Sequence, residues 1–271
     1  MADKQMPSGT SPLLPPLLEV DRLVKRFGGL VATDHATLTV HQGELHALIG
    51  PNGAGKTTLI HQLSGALAPT AGHIRLGGQD ITHWPMHSRV ASGLVRSFQI
   101  TSVFRRLSVW DNLALAVQAQ DGSPWSFWRP ARRDTARYEQ ALAVAERVGL
   151  GGRLWADAGS LSHGEQRQLE VGLALAVRPR LLLLDEPMAG MGPDETERMV
   201  TLLTELKQEV TILLVEHDMD AVFRLADRIS TLVSGKVIAT GTPDDIRANP
   251  DVRRAYLGDE EAAHGEQGVA A

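Results

Sequence analysis

The chain of 271 residues contains no cysteine, which excludes disulfide bonds and metal sites built on thiolates. It also lacks a continuous apolar run of about 18 residues, the length that a membrane-spanning helix needs. A strong charge of either sign is missing too: the net charge is -5, whereas proteins that bind nucleic acid in bulk favour a basic surface. The sequence therefore argues against a membrane-embedded protein, a disulfide-stapled scaffold and nucleic acid as the main partner.

The composition that remains is that of a globular chain, with 43% apolar and 22% charged residues. We expect residues 1–16, rich in proline and serine, to form a disordered tail without a secretory signal. Residues 258–271 are acidic and small, and we expect a second flexible tail there. Residues 17–257 are left to form one domain.

Two kinds of apolar pattern predict an α/β fold for this domain. Short segments between residues 17 and 50 are separated by glycine turns and predict an antiparallel β region. The runs LLLLD and TILLV are continuously apolar, as in strands of a parallel sheet buried on both faces. The pattern is helical between about residues 88 and 161, which contain four of the five tryptophans. We therefore expect a mostly parallel sheet core with an inserted α-helical subdomain.

The segment GPNGAGKTT, residues 50–58 and here called the phosphate loop, matches the pattern G-x-x-x-x-G-K-[ST]. Glycines let several amide N–H groups point at one anion, and the following helix adds its positive dipole end. Lys56 would then reach the β- and γ-phosphates, and the Thr57 hydroxyl would hold Mg²⁺. The alternative is a glycine-rich turn with a surface lysine, which the flanking strand and helix disfavour. The residues predicted to bind nucleotide here are Pro51, Asn52, Gly53, Ala54, Gly55, Lys56, Thr57 and Thr58.

Polar side chains at the ends of strands predict the rest of an ATP-hydrolysing site. Asp185 suits a Mg²⁺ ion reached through water, and Glu186 suits a base for the attacking water. His217 follows the next strand and is placed to hydrogen-bond a γ-phosphate. Gln99, just before the helical insertion, is assigned to both the catalytic and the Mg²⁺-binding residues. Considered singly, each of these residues has an alternative interpretation as a solvated or structural side chain.

The segment LSHGEQ, residues 161–166 and here called the signature segment, begins a helix that leads into the strand with Asp185. Ser162 and Glu165 form the capping-box pattern S-x-x-E, which any helix could use. The same arrangement leaves the Ser162 hydroxyl and the Gly164 N–H facing outward as a second anion site. Its position upstream of the acidic strand favours the second interpretation.

The order of GPNGAGKTT, SFQ, LSHGEQ, LLLLDEP and VEHD resembles the ATP-binding subunit of an ABC transporter, from residue 17 to about residue 257. The resemblance implies a P-loop ATPase core in which two subunits close head to tail on two ATP molecules. Ser162, Gly164 and Glu165 of one subunit would then contact the ATP held by the other. Phe27 lies where the family stacks an aromatic ring on adenine; the alternative is a core phenylalanine.

Two positions depart from the family pattern. His163 stands at the signature position that is commonly glycine, so its side chain must point away from the nucleotide or narrow the site. Gly192 stands where many members carry an aspartate that couples the two sites. These departures bear on communication between the sites rather than on hydrolysis.

The stretches VKRFGGLVAT, EPMAGMGPDE, LLVEHDMDAVF and NPDVRRAYLG resemble ATPase subunits of importers for branched-chain and other hydrophobic amino acids, or for amides and urea. The resemblance implies a second ATPase subunit, identical or different, two membrane-spanning permease subunits and a periplasmic solute-binding protein. It also places the chain on the cytoplasmic face of the inner membrane as a peripheral subunit. A soluble ABC ATPase outside transport is a further alternative. The Trp- and Arg-rich residues 125–137 are either a permease contact or a small helical core with a basic face.

Overall fold

Residues 15–97, 103–120 and 135–255, which the computed structural model describes, form two β-sheets with helices between and beside them. The strands are β1 (Pro16–Phe27), β2 (Leu30–His41), β3 (Leu45–Ile49), β4 (Ala71–Leu76), β5 (Gln79–Asp80), β6 (Leu94–Arg96), β7 (Leu181–Asp185), β8 (Thr211–Val215), β9 (Arg228–Val233) and β10 (Lys236–Gly241). The α-helices are α1 (Lys56–Ser64), α2 (Met86–Ala91), α3 (Val109–Gln120), α4 (Thr135–Arg147), α5 (His163–Ala176), α6 (Pro193–Leu206), α7 (Met219–Leu225) and α8 (Pro243–Ala248).

The larger sheet has the strand order β10-β9-β3-β8-β7-β6. Its pairs are parallel except for the hairpin of β9 and β10, which closes one edge. The smaller sheet has the order β2-β1-β4-β5, and its pairs are antiparallel. The expected parallel core and N-terminal antiparallel region are both confirmed. Because β3, β7 and β8 are parallel neighbours, the segments that follow them meet at one edge of the sheet.

Each central strand of the larger sheet buries both faces, which explains the continuous apolar runs. Leu181 and Leu183 face a core that also contains helix α1 and the smaller sheet. Leu182 and Leu184 alternate to the opposite face, where they join a core with α3, α5 and α6. Helix α1 is thus held between two sheets, which gives the phosphate loop a rigid base.

Arg89 of α2 fixes the far end of α1. Its buried guanidinium donates to the carbonyls of Gln62 and Leu63, at 2.7 and 2.6 Å. Burial lowers the pKa of Arg89 to about 10. A cation at the carboxyl end of a helix also interacts favourably with the helix dipole. The contact therefore stabilises α1, the helix that begins at the loop.

The segment predicted as helical contains one strand that the pattern did not reveal. Strand β6 pairs with β7 at the edge of the larger sheet. With three residues it is too short for a periodicity of two to stand out. Helices α3, α4 and α5 pack against one another beyond it. None of the helices in the described ranges combines the length and apolar character needed to cross a bilayer.

Several predicted features lie outside the described residues. They are Gln99, most of the Trp- and Arg-rich residues 125–137, nearly all of the N-terminal tail and the whole C-terminal tail.

Candidate nucleotide-binding site

The phosphate loop connects β3 to α1, and two of its glycines are required by close backbone contacts. Gly55 has φ +102°, and a Cβ there would lie 2.3 Å from the carbonyl oxygen of Ala32. A Cβ on Gly50 would lie 2.1 Å from the carbonyl oxygen of Leu232. No side chain caps the first turn of α1. The first amides of this helix are therefore not satisfied by a capping side chain, which leaves them available to an anion.

Lys56 lies at the centre of the loop and is only 6% exposed. Its Nζ donates to the carbonyl oxygens of Gly50 and Pro51, at 2.6 and 2.9 Å. The loop thus folds around its own lysine, which places a positive charge among its amides. A polyphosphate is the ligand class that this combination suits.

A cavity of about 520 Å³ brings Phe27, Glu186 and His217 together with the predicted loop residues from 52 to 58, whereas Pro51 and Asp185 do not line it. It is lined by Phe27, Leu30, Val31, Ala32, Asn52, Gly53, Ala54, Gly55, Lys56, Thr57, Thr58, Glu186, His217, Ser234 and Gly235. Phe27 is 49% exposed at the end of β1, so the core alternative for this ring does not hold. The Lys25 ammonium lies 5.2 Å from the centre of the Phe27 ring. The cavity thus combines an apolar ring with a charged loop, and a nucleotide likewise combines a planar base with a charged phosphate chain.

Glu186 and His217 form a hydrogen-bonded pair in this cavity. They follow the adjacent strands β7 and β8, and His217 Nε2 lies 2.8 Å from Glu186 Oε1. Glu186 has φ +52°, a left-handed conformation that is strained for a residue with a side chain and that recurs at functional sites. The hydrogen bond with His217 orients its carboxylate, and both side chains line the same cavity as the loop.

Asp185, the last residue of β7, is 4% exposed and ion-paired. Arg96 Nη2 donates to its Oδ2 at 2.7 Å. Its Oδ1 is buried and lacks a hydrogen-bond partner. A buried carboxylate oxygen without a protein partner is suited to a hard cation or to its bound water. The chemistry of this one oxygen therefore fits Mg²⁺ or its bound water.

The signature segment caps α5 as predicted. The Ser162 hydroxyl accepts from the Glu165 amide at 3.2 Å, and Glu165 Oε2 accepts from the Ser162 amide at 2.9 Å. The sequence predicted that Ser162 and Gly164 leave an open anion site. Instead, Glu195 of α6 lies there: its Oε1 accepts from the Ser162 hydroxyl at 3.3 Å and from the Gly164 amide at 3.2 Å.

The signature segment and the phosphate loop line different cavities. Ser162, Gly164 and Glu165 line a space of about 270 Å³ with Glu195 and Arg198. None of them lines the cavity that contains Lys56 and Phe27. The two segments predicted to bind phosphate therefore line separate cavities of the described chain.

Comparison with known proteins assigns these features to a family. A family model described as ABC transporter matches residues 33–189, more than half of the chain. The high-affinity branched-chain amino acid transport ATP-binding protein BraF of Pseudomonas aeruginosa is 41% identical over 251 residues, which cover 90% of this chain and 98% of that protein. The corresponding protein LivG of Escherichia coli is 41% identical over 252 residues, with the same shares. The chain belongs to the ABC transporter family.

Solved structures agree with this membership. An ABC transporter cassette crystallised in its ADP conformation is 30% identical with a TM-score of 0.81, and the match covers 90% of this chain and 99% of that one. A nucleotide-free cassette is 28% identical with a TM-score of 0.79, over 89% and 99%. A second family model, described as branched-chain amino acid ATP-binding cassette transporter, matches residues 236–262. The chain is thus a nucleotide-binding ABC ATPase that powers transport.

The two departures from the ABC pattern have clear positions in this cassette. The His163 ring lies near Gly190, with its Cε1 3.6 Å from where a Cβ on that glycine would be. It therefore does not enter the contact between Ser162, Gly164 and Glu195. Gly192 is the N-cap of α6, and its amide donates to Glu195 Oε2 at 3.4 Å.

Three residues of the ABC cassette were missed as site residues: Arg96, Glu195 and Glu216. Glu216, at 4% exposure, accepts from the amides of Met188 and His217, at 2.8 and 3.0 Å. Burial raises the pKa of Glu216. The side chain ties together the two loops that carry Glu186 and His217. In the sequence, Glu216 is marked only by its position between the apolar strand β8 and His217.

Proposed function

We propose that this chain is the ATP-hydrolysing subunit of an importer for branched-chain amino acids, bound to permeases at the cytoplasmic face of the membrane. The observation that carries the proposal is the 41% identity over 90% of the chain to BraF, a branched-chain amino acid transport protein. The match of residues 236–262 to a family of the same description supports it, because this segment lies outside the general ABC match. A periplasmic solute-binding protein would then choose the amino acid.

ATP is bound, in this proposal, by the phosphate loop and by Phe27. The loop amides from Pro51 to Thr58 surround the phosphates, and Lys56 moves from the carbonyls of Gly50 and Pro51 to the phosphate oxygens. A charged partner is a stronger acceptor than a neutral carbonyl, so this exchange favours binding. The half-exposed Phe27 ring offers a face for adenine.

The Thr57 hydroxyl and Gln99 would hold Mg²⁺, and Asp185 would contact it through water. The unpartnered Oδ1 of Asp185 supports this assignment. When bound, the ion neutralises the charge that develops on the β- and γ-phosphates. Arg96 keeps the Asp185 side chain in place through its other oxygen.

Hydrolysis requires a water molecule activated beside the γ-phosphate. Glu186 accepts the proton of this water, and Gln99 helps to orient it. His217 lies 2.8 Å from the Glu186 carboxylate, so it orients the base. It also lines the same cavity as the loop, which supports a contact with the γ-phosphate. Glu216 holds the backbone of both loops in the required position.

The complete site needs two ATPase subunits, either two copies of this chain or this chain and a related one. Within one chain the phosphate loop and the signature segment line different cavities, which supports their meeting across a pair. Ser162, Gly164 and Glu165 of one subunit close the site on the ATP of the other. The dipole end of α5 then faces the γ-phosphate.

An apolar groove supplies a contact surface for a permease subunit. A cavity of about 300 Å³ lies where α2, β6, α3 and α5 meet, away from the phosphate loop. Val90, Phe104 and Leu115 line it and are 37%, 60% and 43% exposed. Exposed apolar side chains grouped around one groove are typical of an interaction site. Because the family works with membrane subunits, we assign this groove to a cytoplasmic segment of a permease.

Uptake of labelled leucine tests the proposed function. We expect cells whose own gene for this chain is deleted to lose most high-affinity leucine uptake and to regain it with the wild-type gene. The Lys56→Ala gene should not restore it, since transport depends on ATP at the loop. Labelled urea and an amide serve as controls for the related importers. Unchanged leucine uptake in the deleted strain, with loss of urea or amide uptake, would overturn the assigned cargo.

A further inference from the structure

Glu195 occupies the anion-binding surface of the signature segment. Its Oε1 accepts from the Ser162 hydroxyl and the Gly164 amide, and its Oε2 accepts from the Gly192 amide. Burial acts to raise the pKa of Glu195, but the three hydrogen bonds and the Arg198 charge outweigh it and lower the pKa. These donors and the Arg198 charge favour the ionised form of the Glu195 carboxylate.

The fit between this carboxylate and Gly164 is close. A Cβ on Gly164 would lie 2.7 Å from both Cδ and Oε1 of Glu195. The signature segment thus has a hollow at Gly164 that the carboxylate fills. A phosphate oxygen has the same charge and accepts from the same kinds of donors.

The donors that hold Glu195 are the ones assigned above to the partner's ATP. Two anions cannot occupy the same two donors, and like charges at this distance repel each other. The proposed closed pair is therefore incompatible with the observed position of Glu195.

We propose that Glu195 is a built-in competitor of ATP, which must leave Ser162 and Gly164 before the γ-phosphate of the partner's nucleotide can bind there. This inference rests on the proposed shared site and adds a residue that controls its closure. The surrounding space gives the displaced side chain somewhere to go, because the cavity of about 270 Å³ also reaches Arg198. Arg198 is three residues further along α6, within reach of an ion pair with Glu195.

Competition of this kind lowers the apparent affinity of pair formation. If only a fraction of the chains has the signature segment free, the apparent dissociation constant rises by the inverse of that fraction. Removing the carboxylate should therefore make ATP more effective. A residue that only capped α6 would have the opposite effect, since its loss would weaken the surface that closes on ATP.

Sedimentation velocity on the full chain tests the inference. The parent protein, in which the other substitutions are made, is Glu186→Gln, because it should not hydrolyse ATP. The quantity measured is the ATP concentration at which half of the molecules have dimerised. Adding Glu195→Ala should lower this concentration by roughly threefold to tenfold. Glu195→Gln, which has the same shape but no charge, should lower it less. Asp194→Asn, an exposed acid in the same turn, is the matched control and should leave it unchanged.

The outcomes separate this inference from the shared site. If neither Glu195 variant lowers the midpoint while Ser162→Ala prevents dimerisation, the competition is wrong and the shared site stands. If Ser162→Ala dimerises like the parent, the shared site fails and the competition fails with it. A higher midpoint for Glu195→Ala would show that Glu195 stabilises the closing surface, which overturns the inference. Thermal unfolding of each variant identifies any that has lost its fold. If Glu195→Ala is unfolded, the ATP midpoint of Glu195→Gln decides whether the carboxylate competes with ATP.

Discussion

Replacing Glu186 with glutamine is expected to lower ATP turnover by roughly two to four orders of magnitude, the contribution of a positioned general base. Glutamine has the shape of glutamate and retains an acceptor for His217, which now lies 2.8 Å from the carboxylate. It cannot take a proton from the attacking water. ATP binding should persist, because Lys56 and the loop amides are unchanged, and the chain should accumulate as an ATP-bound pair.

Phosphate release and an equilibrium ATP titration measure the two effects separately. Glu139→Gln, on the exposed surface of α4, is a control of the same chemistry and should behave like the wild type. Hydrolysis by Glu186→Gln at the wild-type rate would show that another group takes the proton. Loss of ATP binding in this variant would instead point to a binding role for Glu186.

Replacing Lys56 with alanine is expected to abolish hydrolysis and to raise the dissociation constant for ATP. Losing a hydrogen bond to a charged group corresponds to roughly a tenfold to hundredfold change. The substitution also leaves the carbonyls of Gly50 and Pro51 without the donor that now connects them. The loop should therefore lose order as well as charge.

A titration with a fluorescent ATP analogue measures the change for Lys56→Ala. Lys207→Ala is a useful control, since Lys207 also donates to a backbone carbonyl, that of Leu225, but lies outside the nucleotide cavity. The control should bind like the wild type. An unchanged affinity in Lys56→Ala would contradict the assignment of the phosphate loop.

Features set by neighbouring residues could be predicted from the sequence. The capping box of Ser162 and Glu165 depends on residues three positions apart, and it forms as predicted. The position of Asp185 at the end of β7 could be predicted because the apolar run of four leucines stops there. The positive φ of Gly55 is a local requirement of the phosphate loop, but its close approach to Ala32 and that of Gly50 to Leu232 are tertiary contacts. The capping box, the strand end and the turn need no knowledge of the tertiary fold.

Contacts between distant segments could not be predicted. Arg96 and Asp185 are 89 residues apart, and they meet only because β6 pairs with β7. Glu195 reaches Ser162 across 33 residues because α5 packs against α6. In the sequence, Glu195 is one of several acidic residues at the start of a helix. Acidic residues are common there because the helix dipole favours negative charge at its N-terminus. The motifs predicted the site residues and the resemblance predicted that two subunits share the site, but neither gave a sign that a side chain of the same chain lies at the signature segment.

A crystal structure of the Glu186→Gln chain with ATP and Mg²⁺ tests most directly whether the site is shared. We expect two chains head to tail, each phosphate loop wrapped around a triphosphate. The Ser162 hydroxyl and Gly164 amide of the opposite chain should lie within hydrogen-bonding distance of the γ-phosphate. Nucleotide bound at the loop with Ser162 remote from every ATP, or a loop without nucleotide, would contradict it.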